Sequence, residues 1–238
     1  MSAVILSALT ETQKVQIYAL HSSFPLDDAE LIAIYETDGT IRSAALFINE
    51  DDTTYECFAY TEPAFRRQGM FTELLDLAID ALPEDTDFIF YTNGSDADCM
   101  AVLNALEAEP ILEEHMMELD LESFAASSCF KTSDPGSGEF FVTEEEIDQT
   151  RTRCYKNAWG VVNISVFSSY YYLYGFEIKE ELRGQGYGTT YLLQVLSDLA
   201  NINPLPLRLQ VSGDNTAALS LYKKTGFQIT ETLFGYLY

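Results

Sequence analysis

A glycine-rich segment in the second half of the chain has the composition of an anion-binding turn. Residues 183–189 read Arg-Gly-Gln-Gly-Tyr-Gly-Thr and lie between a strand-like run and a helical one. Alternate glycines let backbone amides approach an anion closely, and the following helix adds unpaired N–H groups and the positive end of its dipole. Arg183 supplies a guanidinium. The pattern predicts a phosphate or diphosphate site held mainly by backbone; a tight connection without a ligand is the alternative.

Two common nucleotide-binding motifs do not fit this segment. A P-loop requires Gly-Lys-Ser/Thr, which the chain lacks. A dinucleotide fingerprint requires GxGxxG and an acidic residue about 20 positions later. Here the glycines are spaced GxGxG, and residues 202–210 carry no acidic side chain. Both motifs are therefore excluded.

A second motif follows over residues 215–227. Asn215 is a suitable helix N-cap, and Gly226 stands where a glycine closes a last helical turn. Tyr222 lies seven residues after the cap, about two turns along, on nearly the same face. From position alone Tyr222 is either a core residue or a functional group on that face.

These two segments resemble the GNAT family of N-acetyltransferases, and the resemblance covers residues 140–238. The signature turn R/Q-x-x-G-x-G/A is matched by Arg183, Gly186 and Gly188. The second signature is matched by Asn215, Ala218, Leu221, Tyr222, Gly226 and Phe227. The resemblance implies a mixed sheet flanked by helices, with a turn that cradles the diphosphate of acetyl-CoA as co-substrate.

The resemblance also implies roles for individual residues. The implied acetyl-CoA-binding residues are Ile178, Arg183, Gly184, Gln185, Gly186, Tyr187, Gly188, Thr189 and Asn215. Tyr222 would protonate the departing thiolate, since a phenol with a pKa of about 10 can supply a proton to a thiolate of pKa about 8.5. Glu177 is a candidate base for the acceptor amine, and a water chain is the alternative. No metal is expected.

The chain reads as two similar halves. Strand-like and helical runs alternate in each, which indicates an α/β (α+β) fold with two tandem domains. An offset of 117 superposes Arg66, Gln68 and Gly69 on Arg183, Gln185 and Gly186, and also Ser95 on Ser212 and Ala101 on Ala218. The Pro/Gly/Ser-rich stretch predicts a linker over 126–139, between domains 1–125 and 140–238.

The first half matches the family less well, and we expect a degenerate copy. Phe71 stands where a small residue is usual, and its bulk would narrow the room for a diphosphate. At the same offset Asp98, Ala105, Glu109 and Pro110 replace Asn215, Tyr222, Gly226 and Phe227. The tyrosine acid is therefore missing from this half, which could still bind a CoA-like ligand.

The charge is concentrated in the first half. Residues 1–125 hold four basic and 26 acidic side chains, a net charge of −22, within a chain total of −25. This charge argues against binding nucleic acid, and it favours either solubility alone or a cationic partner. Four separated cysteines predict neither a zinc site nor a disulfide framework and fit a cytoplasmic protein. No membrane segment is expected.

The combined prediction is an N-acetyltransferase that moves an acetyl group from acetyl-CoA to a primary amine. The acceptor would be a small molecule or a polypeptide, and the protein a monomer or a homodimer. The alternative is a non-catalytic module that binds acyl-CoA and regulates another process.

Overall fold

The computed structural model describes residues 2–51, 53–126, 140–147 and 149–238. Its chain divides into two compact units. The first unit contains residues 1–111 and 234–238, and the second contains residues 112–233. The mixed α/β fold predicted from the sequence is confirmed, with strands flanked by helices in both units.

The first unit is a mixed sheet with a core on each face. Its elements are β1 (Ser2–Ile5), α1 (Glu11–Leu20), β2 (Leu31–Thr37), β3 (Thr40–Asn49), β4 (Thr54–Thr61), α2 (Met70–Ala81), β5 (Asp87–Thr92) and α3 (Ala97–Ala105). Strands β1 to β4 pair antiparallel, and β5 joins β4 in parallel after the α2 crossover. Leu74, Leu75 and Ala78 of α2 are buried on one face, while Ile17 of α1 is buried on the other.

The second unit repeats this order around one large core. Its elements are most of β6 (Glu109–Leu119), α4 (Leu121–Ala126), β7 (Phe141–Ile147), β8 (Thr150–Lys156), β9 (Gly160–Val166), β10 (Tyr171–Ile178), α5 (Tyr187–Ile202), β11 (Leu207–Ser212), α6 (Thr216–Lys224) and the start of β12 (Gln228–Leu237). The predicted apolar stripe of α5 is buried at Leu192, Val195, Leu196 and Leu199, and Leu193 is partly buried.

Two strands, β6 and β12, each begin in one unit and end in the other. Strand β6 follows α3 but pairs antiparallel with β11 of the second unit. The end of β12 pairs antiparallel with β5 of the first unit. The compact units therefore begin and end elsewhere than the predicted domains 1–125 and 140–238. Of the predicted linker 126–139, residues 127–139 lie outside the described part of the chain.

The internal correspondence is close in geometry, but its offset changes. Around the turn it is 117: the Nε of Arg66 donates to the carbonyl of Thr61 (3.1 Å), and the Nε of Arg183 donates to that of Ile178 (2.8 Å). From β5 onward it is 119, because β6 starts at Glu109 and β12 at Gln228.

The ungapped alignment was therefore wrong beyond the first helix. The structural counterparts of Asn215, Tyr222, Gly226 and Phe227 are Asp96, Leu103, Glu107 and Ala108, and the predicted matches of Ser95 and Ala101 also fail. The physical reason is a pair of extra residues between α5 and α6, which periodicity does not reveal. The conclusion that the first half lacks the tyrosine holds, since Leu103 takes its place.

Three buried tyrosines make the second unit sensitive to alkali. Burial raises the pKa of Tyr155, Tyr191 and Tyr222, and the hydroxyl of Tyr155 also donates to Asp198 Oδ2 at 2.7 Å. A phenol whose pKa is raised by folding stabilises the native state below its unfolded pKa of about 10, and that contribution is lost as pH rises toward the folded value.

We expect the free energy of unfolding of the second unit to fall above pH ~10, by up to about 1.4 kcal/mol per pH unit for each tyrosine. Denaturant titrations at pH 8, 9.5 and 11, followed by the fluorescence of the single Trp159, measure this slope. Tyr155→Phe removes one titrating group, so it should reduce the slope by up to about 1.4 kcal/mol per pH unit. A denaturant concentration at half-unfolding that stays constant up to pH 11 would contradict the claim that folding raises the pKa of these tyrosines.

Candidate active site

The turn between β10 and α5 presents a row of free backbone donors. After the short 3₁₀ segment Glu180–Leu182, Gly184 (φ +73°) and Gly186 (φ +88°) adopt left-handed conformations, and α5 begins at Tyr187. Within the described residues, the amides of 184–189 donate to no acceptor, and the first helical bond runs from Thr190 to the Gly186 carbonyl. Convergent amides at a positive helix end form a site for an anion.

The three glycines of the turn serve different purposes. A Cβ on Gly184 or Gly186 would meet nothing within 4 Å, so these positions require glycine for their backbone angle. A Cβ on Gly188 would touch Ile178 (3.5 Å) and Leu221 (3.8 Å), so Gly188 lies where β10, α5 and α6 meet.

Side chains around the turn mostly hold its shape. Arg183 donates to the Ile178 carbonyl and lies 3.6 Å from the carboxylate of Glu177, while much of its side chain stays exposed. Gln185 donates to the backbone carbonyl of Glu181 at 2.8 Å. The ring of Tyr187 packs on Trp159, with 5.0 Å between centroids. Arg183 is thus oriented by the strand it follows and keeps donors free for a ligand.

Strands β10 and β11 open beside this turn. Their parallel pairing is confined to Tyr171 with Leu207 and Tyr172 with Arg208. A bulge between Tyr174 and Glu177 interrupts the pairing of β10 with β9, and Gly175 there has φ +58°. The edge of β10 that faces β11 is left unpaired toward Ile178. An extended ligand segment can bind such an edge through backbone hydrogen bonds.

Tyr222 and Asn215 occupy the helix that faces this region. The ring of Tyr222 is buried against Phe227, with 5.5 Å between centroids, and its hydroxyl has no hydrogen-bond partner among the described residues. Burial raises the pKa of Tyr222 to about 12, so the phenol stays protonated at neutral pH. The side chain of Asn215 accepts from the Ala218 amide (3.1 Å) and caps α6. Asn215 is thus a structural cap, and its contact with acetyl-CoA stays a prediction.

Glu177 is an exposed residue near the end of β10, just before the turn. Its side chain is 68% exposed and forms an ion pair with Arg183 at 3.6 Å. The structure therefore places Glu177 beside the anion-binding turn and in water. Its role as a base stays a prediction.

The first unit keeps the turn but changes its surroundings. Gly69 (φ +81°) starts α2, and the amides of residues 67–72 are likewise free within the described chain. However, Arg66 pairs with Asp98 at 2.9 Å. Phe71, the counterpart of Gly188, packs edge to face on Phe90 of β5, with 6.3 Å between centroids. Strand β4 has no bulge in its pairing with β3.

This geometry corrects the expectation for Phe71. Its ring turns into the core between α2 and β5, so it fills space beside the strands and does not crowd the turn itself. In the second unit Gly188 stands at this position, where a Cβ would already contact Ile178 and Leu221.

Sequence reasoning missed two features of the site. The bulge in β10 was signalled by Gly175 inside an otherwise aromatic strand, because an interior glycine often marks a bulge. Trp159 packs against the core of the second unit and also contacts Tyr187, which places it against the turn. That contact joins residues 28 positions apart and has no local signal.

Other sites are not indicated in the described part of the chain. Within it, no group of three or more His, Cys, Asp or Glu side chains is placed to hold a metal ion. Cys57, Cys99 and Cys154 are free thiols. None of the helices described combines the length and apolarity that a bilayer-crossing segment requires.

Comparison with solved structures shows the fold. A tandem GNAT protein from the clavulanic acid biosynthesis pathway is 15% identical, with a TM-score of 0.57 over 100% of this chain and 98% of that one. A GCN5-related N-acetyltransferase from Sphaerobacter thermophilus is 12% identical, with a TM-score of 0.55 over 96% and 85% of the two chains. A glucosamine N-acetyltransferase region of a fungal multi-domain protein is 9% identical, with a TM-score of 0.61 over 99% and 38%.

No curated protein matches the chain. The sequence model of the Acetyltransferase (GNAT) family matches residues 100–227, which is more than half of the chain and includes the turn, α5 and α6. The chain therefore belongs to the GNAT family of acetyltransferases.

Proposed function

We propose that the second unit is an N-acetyltransferase that transfers the acetyl group of acetyl-CoA to a primary amine. The observation that carries this proposal is the row of amides at 184–189, which have no acceptor among the described residues and follow the unpaired end of β10. Tyr222, on α6, is buried and has a hydroxyl without a partner among those residues. Acetyl-CoA has three parts that match these groups. The amides can bind its diphosphate, the unpaired strand edge can bind its extended arm, and the phenol can protonate its leaving thiolate.

The turn would hold the diphosphate. Its donors are fixed in place by the left-handed glycines and by the start of α5. The turn would therefore lose little conformational entropy when a ligand binds. The free donors of Arg183 add a positive charge next to the amides. The unpaired edge of β10, up to Ile178, would receive the pantetheine arm as an added strand.

Tyr222 would protonate the leaving group. The neutral amine nitrogen attacks the thioester carbonyl, the N–C bond forms, the C–S bond breaks, and the thiolate takes the phenolic proton. The nitrogen loses one proton as the amide forms, and this proton restores the phenol of Tyr222, directly or through water. The pKa of Tyr222 is raised to about 12, so the phenol is fully protonated at neutral pH. It can therefore donate its proton when negative charge develops on the leaving sulfur. Starting from an ammonium ion, the overall reaction yields an amide, a thiol and one free proton.

The amine must lose a proton before attack, because its pKa is about 10.4 for a lysine-like group. Glu177 is the carboxylate nearest to the end of β10 and could accept this proton directly or through water. Because Glu177 is exposed, water also reaches this position and could accept the proton instead.

The first unit would serve as a non-catalytic copy. Its turn guanidinium is neutralised by Asp98, its strand opening is filled by Phe71, and Leu103 replaces the tyrosine. These differences support a single acetyl-CoA site per chain.

Gly186→Val should weaken acetyl-CoA binding at least tenfold, because a left-handed β-branched residue costs about 1–2 kcal/mol and shifts the amides. Trp159 fluorescence, excited at 295 nm, reports binding through Tyr187. Gly69→Val is the matched control, since Gly69 has the same backbone angle and open surroundings in the first unit. Equal losses in both variants would contradict the assignment.

Tyr222→Phe should lower turnover about tenfold or more while leaving acetyl-CoA affinity within about twofold, because it removes the proton and keeps the ring. The control is Tyr191→Phe, which deletes another buried hydroxyl without a partner from the same core. Thiol release and Trp159 titration measure the two quantities. An unchanged rate would remove Tyr222 from the mechanism and favour a binding module.

Isothermal titration of the full chain with acetyl-CoA should give one site, and Gly69→Val should keep that value. Two sites in the wild-type chain, reduced to one by Gly69→Val, would show that the first unit binds the cofactor as well.

A further inference from the structure

The opening between β10 and β11 is covered on one face by α5 and α6. The pairing of the two strands ends at Tyr172 and Arg208, and Leu173 and Leu209 are the next residues on each side of the opening. Both leucines are buried in one core with residues of α5 and with Tyr222 of α6. Under the proposed function, the arm of acetyl-CoA lies in this opening with Tyr222 on the helical face. The acceptor amine therefore has to reach the thioester from the opposite face of the sheet.

That opposite face is lined by Tyr172 and Tyr174 of β10 and by Gln210 of β11. These residues alternate with the buried leucines, so their side chains point away from α5. Gln210 is exposed, and both tyrosines are partly exposed. Glu114 of β6 joins this group, because its Oε2 accepts a hydrogen bond from the Nε2 of Gln210. A carboxylate thus lies beside the opening, on the face from which an acceptor would arrive.

The charge of Glu114 is not neutralised by the described part of the chain. Its hydrogen-bond partner Gln210 is neutral, and no described cation forms an ion pair with it. Glu118, on the same face of β6, is different: Arg208 Nε donates to its Oε2 at 2.7 Å. The carboxylate at the closed end of the strand pair therefore has its own cation, whereas the carboxylate at the open end can bind a cationic ligand.

The position of Glu114 sets the distance between this cation and the reacting amine. The charge of Glu114 acts as far as β10, since burial raises the pKa of Tyr172 and the Glu114 carboxylate raises it further. Strand β11 lies between β6 and β10, and neighbouring strands are about 4.8 Å apart. A cation on Glu114, above β11, would therefore lie roughly 5–8 Å from the space where β10 and β11 separate. A short alkyl chain with an amino group at each end spans this distance.

We propose that the acceptor of the second unit is a short diamine, and that Glu114 binds its distal ammonium group. The other amino group would enter the opening and attack the thioester, with the proton transfers of the proposed function, while Glu114 stays ionised. The rings of Tyr172 and Tyr174 suit the same ligand, because aromatic faces attract cations. This inference rests on the proposed acetyl transfer. It adds that the acceptor carries a second positive charge close to its reacting amine.

The test compares three acceptors of similar length by thiol release from acetyl-CoA: putrescine, butylamine and γ-aminobutyrate. They end in an ammonium, a methyl and a carboxylate group, respectively. Because a hydrogen bond between charged groups contributes about tenfold or more, kcat/KM should be at least about tenfold higher for putrescine than for butylamine. The acid γ-aminobutyrate should be the poorest acceptor, since Glu114 repels its carboxylate.

Glu114→Gln keeps the shape of the side chain and an oxygen that can accept from Gln210, but it removes the charge. The ratio of putrescine to butylamine should fall to about twofold, the statistical advantage of two amino groups. Glu145→Gln makes the same charge change at an exposed position of β7, which β8 and β9 separate from β10, and should keep the wild-type ratio.

A smaller ratio in the wild-type chain would overturn the inference, and acetyl transfer to other amines would still stand. A ratio that survives Glu114→Gln, or that Glu145→Gln lowers equally, would overturn it as well. If no amine releases thiol, the proposed function fails, and calorimetric titration of the full chain decides the inference. Putrescine should then bind at least about tenfold more tightly than butylamine, and Glu114→Gln should abolish the difference. Equal affinities in the wild-type chain would overturn it.

Discussion

The left-handed backbone at Gly184 and Gly186 is the constraint on which the site depends. It turns the chain from β10 into α5 and leaves the amides of 184–189 without an acceptor among the described residues. Unpaired donors at a helix start favour an anion, and glycine is the residue that adopts this conformation at low cost. The opened strands and Tyr222 have a role only if this turn first fixes a ligand beside them.

The two turns show that backbone geometry alone does not make a site. Gly69 and Gly186 start their helices with nearly the same angle, and Arg66 and Arg183 both hold the strand that precedes them. Their neighbours differ, since the Arg66 guanidinium hydrogen-bonds to Asp98 at 2.9 Å, whereas the Arg183 guanidinium lies 3.6 Å from the exposed carboxylate of Glu177. Under the proposed function, side-chain differences on a shared backbone would separate a supporting half from a binding half.

Local signals predicted the turn, α5, α6 and the cap at Asn215, because glycine positions, helical spacing and capping residues act over a few residues. Long-range features escaped the sequence. The pairing of β6 with β11 joins segments about 90 residues apart, and the offset changed where the chain gained residues. Tyr222 was placed on the right helix, but its burial and free hydroxyl follow from packing across the unit.

Amide hydrogen exchange of the full chain with and without acetyl-CoA tests the central claim most directly. The account predicts that saturating acetyl-CoA slows exchange at residues 184–189 and leaves the equivalent amides at 67–72 unchanged. Protection confined to the first unit, or none at 184–189 under saturation, would contradict it.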